Sequence, residues 1–228
     1  MSDCLFLDGL REKLLPLCDR NFAEFNQRIV NSGKKSIGVR TPELKKIARE
    51  YASVPFAYPE RTDDFSHEEF LILGFVIAKL PLSDYLRFYP RYVSEADSWA
   101  HIDGFVAASK LIARNREVFF DEIQRNVSDS EGFALRYLLV VLLTYYLTDE
   151  YAERAVNLAL SASGKGYYND MAIAWLLSVA FVKKRDLVLP LIEKGIRDDF
   201  IHNKTISKIT DSFRVSEEDK NYLKSLRR

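Results

Sequence analysis

Residues 133–147 read FALRYLLVVLLTYYL, fifteen positions with a single charge, Arg136. A helix that is apolar on every side must be covered on every side. Residues 171–182, MAIAWLLSVAFV, repeat the pattern with no charge at all. Both runs fall short of the ~20 apolar residues that a membrane span needs. They belong inside a protein body, sandwiched between other helices.

The flanking sequence supplies those helices. TPELKKIAREYA (41–52) opens with Thr41 as cap and Pro42 at the first helical position. SHEEFLILGFVIAKL (66–80) opens with the capping-box pair Ser66 and Glu69. Further starts fall at Ser83, Ser98, Ser130, Thr148 and Ser216. Alternating strand patterns and hairpin signals are absent. About a dozen helical segments of roughly 10 to 18 residues, joined by short connections, predict an all-α chain. Layers of antiparallel helical pairs stacked into a solenoid fit the all-round apolar segments, and a compact helical bundle fits them as well. Nine Gly and seven Pro leave no linker-like stretch, so residues 1–228 read as a single domain.

Composition bounds the function. Two cysteines, Cys4 and Cys18, with no metal spacing and no signal peptide, point to a reducing cytoplasm. His67, His101 and His202 are scattered, and neither a metal pattern, a phosphate-cradling glycine loop nor a cofactor motif is present. The 33 basic and 33 acidic residues cancel, yet they are unevenly placed. Residues 28–49 carry seven Lys or Arg against one acid, and residues 183–228 carry twelve against eight. Residues 60–103 carry four against nine. Basic ends flank an acidic middle, a distribution that can hide a local cationic surface; solvated helix faces would produce the same counts.

Three features resist a purely structural reading. In SWAHIDGF (98–105), a helix running from Ser98 to about Asn115 places Trp99, Asp103, Lys110 and Arg114 on one side, with Ile102, Phe105, Val106, Ile112 and Ala113 on another. Trp99 thus heads a charged stripe, although a surface Asp103 paired with a neighbouring base would also account for it. Gly104 follows that carboxylate inside the helix. Arg136, alone in its apolar run, needs either an internal acid or an opening toward an anion, whose oxygens its planar fork matches. Trp175 stands in an apolar segment where a core role is the default. Tyr168, seven residues earlier, shares its side, and Lys165 lies in the adjacent SGKG turn, a combination compatible with nucleic-acid contact.

Together SWAHID (98–103), LRYLLVVLLTYYL (135–147), MAIAWLLSVAFVKK (171–184) and the earlier GVRTPELKKIARE (38–50) resemble the AlkD-type DNA alkylation repair glycosylases, over about residues 20 to 215. The resemblance implies HEAT-like repeats in a right-handed solenoid with duplex DNA in a concave groove. It implies hydrolysis of the N-glycosidic bond of cationic N3- or N7-methylated purines, by a monomer without a cofactor. Trp99, Asp103, Arg136 and Trp175 would form the catalytic group. Lys34, Lys35, Arg40, Lys45, Lys165, Tyr168, Lys183, Lys204 and Lys208 are the expected DNA contacts. Two departures stand against it: the zero net charge, and the acids Glu95, Asp97 and Asp103, which together would repel phosphate. A repeat protein that binds nucleic acid or a protein partner without excision is the other expectation.

Overall fold

A computed structural model describes residues 9–52 and 56–228. Cys4 lies outside the described residues, and Cys18 is an exposed free thiol. Among the described residues the chain is all-helical, with no strand. Its helices pack in pairs of the kind that build a helical-repeat solenoid. No helix among the described residues is long and apolar enough to cross a membrane. The chain divides into two compact units, Met1–Leu111 and Ile112–Arg228.

The first unit contains α1 (residues 9–14), α2 (Arg20–Val30), α3 (Thr41–Tyr51), α4 (His67–Ile77), α5 (Leu82–Glu95) and α6 (Trp99–Ala108). Helix α4 is its centre. Every residue from His67 to Ile77 is buried, with α3, α5 and α6 packed around it. The predicted capping box is present: Ser66 Oγ accepts from Glu69 N, and Glu69 Oε2 accepts from Ser66 N at 2.6 Å. Glu69 also accepts from Arg11 Nε at 2.7 Å. Helix α3 begins one residue earlier than predicted, with Arg40 at the cap position and Pro42 still in the first turn. Leu44 and Ile47 of α3 close on Leu71, Ile72 and Phe75 of α4 in one apolar cluster. Tyr85, Tyr89 and Tyr92 turn one face of α5 inward, and the Tyr92 ring stacks 4.6 Å from Phe70.

Glu68 lies fully buried in this apolar setting, where an unpaired carboxylate would cost several kcal/mol. It is saturated instead. Ser36 Oγ donates to it at 2.8 Å, as do the backbone amides of Ile37 and Gly38 at 2.9 Å and of Val39 at 3.4 Å. One side chain of α4 therefore moulds the connection between α2 and α3.

The second unit comprises α7 (Arg116–Asn126), α8 (Gly132–Tyr145), α9 (Ala152–Ser161), α10 (Tyr167–Lys183), α11 (Arg185–Lys194), α12 (Asp199–Thr210) and α13 (Glu217–Ser225). Helix α10 is the counterpart of α4, packed against α8, α9, α11 and α12. The all-round apolar runs behave as predicted in α8, buried continuously from Leu135 to Leu143. Helix α10 departs from that pattern at Trp175, which is 36% exposed. The third histidine, His202, is structural: its Nε2 lies 2.8 Å from the Leu226 carbonyl oxygen.

Candidate functional site

In the first unit, Trp99 and Asp103 share the face of α6 that borders a cavity of about 250 Å³. The start of α6 is pinned to the end of α2. Ser98 Oγ donates to the Val30 carbonyl at 2.6 Å and accepts from Ala100 N, and Trp99 Nε1 donates to the Ile29 carbonyl at 3.3 Å. Two residues of sequence thereby hold an indole at the cavity rim, and Asp103, half-buried, follows one turn later. Phe22 of α2 and His67, Leu71 and Phe75 of α4 supply other walls. Asp103 is the sole acid among the described residues lining this space.

The predicted helix to Asn115 is cut short. Helix α6 ends at Ala108, and residues Lys110–Arg114 form a separate 3₁₀ turn. The cause is Ser109, fully buried, whose hydroxyl donates to the Phe105 carbonyl at 2.8 Å and receives the Tyr85 hydroxyl at 3.2 Å. A serine bonding back to the preceding turn competes with helix continuation. Lys110 and Arg114 therefore do not extend the stripe headed by Trp99 and Asp103.

Glu95 and Asp97, two of the acids that threatened to repel phosphate, are engaged within the protein. Glu95 accepts from Tyr58 and Thr62 hydroxyls at 2.8 Å and from Arg91 Nε at 2.7 Å. Asp97 accepts from Ser32 Oγ at 2.7 Å and Lys34 N at 3.2 Å, and His101 Nδ1 lies 3.2 Å away. Burial alone would raise the Asp97 carboxyl; His101 and Ser32 hold it well below the usual carboxylate range. Behind them lies a feature that sequence spacing hides. His67 and His101, 34 positions apart on α4 and α6, lie with ring centroids 4.6 Å apart, both buried. Burial, reinforced by the neighbouring His101, pushes the His67 pKa down to about 3, and burial lowers His101 as well, against the pull of Asp97.

In the second unit, Arg136 is 6% exposed on α8, and its Nη1 donates to the Tyr168 carbonyl of α10 at 2.5 Å. Lys208 of α12 is half-buried; that burial, then the charges of Lys204 and Arg136, lower its pKa. Three cations from two helices are thus crowded together, which raises the local potential for an anion. Aromatic rings flank them. Tyr168 lies 5.9 Å from Phe133, the exposed Tyr167 lies 5.8 Å from Phe200, and Lys204 Nζ sits 5.7 Å from the Phe200 ring. Trp175, two turns after Tyr168 on α10, is at the surface rather than in the core.

The remaining predicted contacts separate into two groups. Lys35, Arg40, Lys45 and Lys183 are exposed, with the Arg40 guanidinium 4.5 Å from the Phe22 ring and Lys45 Nζ 5.6 Å from Phe75. Lys34 and Lys165 are turned to structural bonds instead. Lys34 Nζ donates to the Thr62 carbonyl at 2.7 Å and lies 4.8 Å from the Phe70 ring. Lys165 Nζ donates to the carbonyls of Ser128 and Ser130, and Gly164 N donates to Asp170 at 2.9 Å, so the SGKG turn is tied down. Lysine spacing carries no signal for which ammonium finds a carbonyl across the fold.

Comparison with known families finds a match to the model described as "DNA alkylation repair enzyme", over residues 10–210 and hence across both units. No curated protein and no solved structure matches the chain.

Proposed function

The chain belongs to the DNA alkylation repair enzyme family, and from that premise we propose that it is a glycosylase hydrolysing the N-glycosidic bond of cationic N3- or N7-methylated purines in duplex DNA. The observation that carries the proposal is the placement of Asp103 beside Trp99 on the face of α6 that borders an aromatic-walled cavity.

The chemistry asks little of the protein. A purine methylated at N3 or N7 already carries positive charge, so it departs without protonation by a general acid. The sugar gains positive character as the bond lengthens, and water must reach its anomeric carbon. A carboxylate at Asp103 serves both needs, stabilising the cation and accepting the water's proton. The indole faces of Trp99 and Trp175 would attract the cation, by about 0.5 to 2 kcal/mol each. Arg136, with Lys204 and Lys208 beside it, is suited to a backbone phosphate, fixing register rather than reading sequence. The exposed Lys35, Arg40, Lys45 and Lys183 add sequence-independent attraction, with Tyr168 contributing a ring.

Incubation with duplex DNA carrying N7-methylguanine or N3-methyladenine, followed by chromatography of released bases, tests the proposal. Wild type releases methylpurine, and Asp103→Asn lowers the rate by about 10²-fold or more, the scale of losing a key electrostatic group. Release by wild type no faster than in buffer refutes it and favours a member that binds nucleic acid without excision.

A further inference from the structure

In the second unit, the residues that follow α13 fold back onto α12. His202 Nε2 lies 2.8 Å from the Leu226 carbonyl oxygen, Asn203 Nδ2 donates to the Arg228 carbonyl at 2.8 Å, and Arg228 N donates back to Asn203 Oδ1 at 3.1 Å. The Arg228 guanidinium donates to the Ile196 carbonyl at 3.2 Å and to Asp199 at 3.3 Å. Gly195, at φ +89°, leaves room for it, since a Cβ there would fall on that guanidinium. Ordering exposed residues costs conformational entropy. A largely exposed ion pair such as Arg228–Asp199 returns little of it.

What this latch does fix is the residue between its two anchors. Arg227 is exposed, and its Nη2 donates to Ser207 Oγ at 3.0 Å. That hydroxyl is itself held by donating to the Asn203 carbonyl at 3.0 Å, which leaves a lone pair for the guanidinium. A neutral hydroxyl orients the Arg227 fork without cancelling its charge, whereas Arg228 beside it is spent on Asp199. On the wheel of α12, Ser207 stands roughly 60° from Lys204 and 100° from Lys208. Lys208 already feels the charges of Lys204 and Arg136, opposed by the acid Asp211. Bringing a further cation to that helix face costs the fold self-repulsion, which a bound polyanion offsets.

We propose that Arg227 is a further contact to the DNA backbone, a phosphate-binding guanidinium presented beside Lys204 and Lys208, and that the latch of Arg228 on Asn203 and Asp199 positions it. Duplex DNA as the partner rests on the function proposed above; the placement of Arg227 rests on the bonds of the latch alone. Arg227 lies beyond the residues 10–210 that match the family. A guanidinium carries five N–H donors in one plane, so two can meet a phosphate while another keeps Ser207. The contact adds sequence-independent affinity and no chemical step.

The test is fluorescence anisotropy of the full chain with a labelled, unmodified duplex at several salt concentrations. Arg227→Ala should weaken binding several-fold and lower the slope of log K against log salt by about 0.9, the release expected for one phosphate contact. Arg227→Lys should keep most of the slope, and both variants should melt with wild type, as surface substitutions do. Asn203→Ala changes no charge but frees the latch, so it should weaken binding several-fold with Arg227 intact. A purely structural Arg227 would leave the salt slope where it was. An unchanged slope in Arg227→Ala overturns the contact, and wild-type affinity in Asn203→Ala overturns the latch. Base release from methylated duplex is measured separately. A protein that excises with its slope unmoved by Arg227→Ala defeats the contact alone. A slope lowered by Arg227→Ala in a protein that releases no base upholds the contact and defeats the excision proposal. Wild type that binds no duplex defeats both.

Discussion

Lowering the pH from 7 to 5 should destabilise this protein through the buried neighbours His67 and His101, and the amount for His67 can be worked out. In the unfolded chain His67 titrates near 6.5; in the fold, burial brings it to about 3. Its folded pKa is therefore depressed, so the unfolded state binds more protons between these values. Stability contributed by the neutral imidazole is fully present above pH 6.5 and is lost as pH falls toward 3. At about 1.4 kcal/mol per pH unit, the drop from 6.5 to 5 costs about 2 kcal/mol. His101, also depressed by burial, adds to it in the same direction. For a chain of this size, 2 kcal/mol corresponds to about 4–8 °C in Tm. The neighbouring Asp97 does not share this window: its carboxyl is held below the usual carboxylate range and titrates at lower pH. Urea unfolding at pH 7 and pH 5, for wild type and His67→Gln, isolates the effect. Wild type should lose about 2 kcal/mol more than the variant across this interval. Equal losses, or a His67 ring-proton resonance titrating near pH 6.5, would refute the burial account.

Other perturbations have equally definite outcomes. Glu68→Ala removes the acceptor shared by Ser36 and the amides of Ile37, Gly38 and Val39, and should cost about 3–5 kcal/mol in urea titration. Hydrogen exchange at those amides should accelerate sharply. Lys204→Ala and Lys208→Ala should each lower duplex affinity and reduce the slope of log K against log salt by about 1, read by anisotropy at several salt concentrations. Lys34→Ala and Lys165→Ala should instead lower the melting temperature while leaving that salt slope nearly unchanged, because their ammonium groups bond to main-chain carbonyls. Trp99→Phe, which deletes the indole bond to Ile29 while keeping a ring, should cost about 1 kcal/mol of stability, measured by calorimetry.

What the sequence determined by itself was what depends on neighbours along the chain. The Ser66–Glu69 box and the caps at Ser98 and Ser216 involve groups two or three residues apart, so residue type and spacing suffice to predict them. The continuous burial of α8 was legible in FALRYLLVVLLTYYL, because a helix without a polar face has no stable position at a surface. Tyr168 and Trp175 on one side of α10 follow from helical pitch. Tertiary structure decided everything that rests on partners distant in sequence. It took a hydroxyl from Tyr85 on α5 to help end α6 at Ser109, and a loop from residues 36–39 to make a buried carboxylate of Glu68 tolerable. The contact of the His67 and His101 rings, and the diversion of Lys34 and Lys165 into the body, arise only when separate helices meet. A charge count treats each ionisable side chain as solvated, whereas folding fixes which of them find partners. That is why the acidic middle of the chain looked hostile to DNA as sequence but is largely spent on internal bonds once folded.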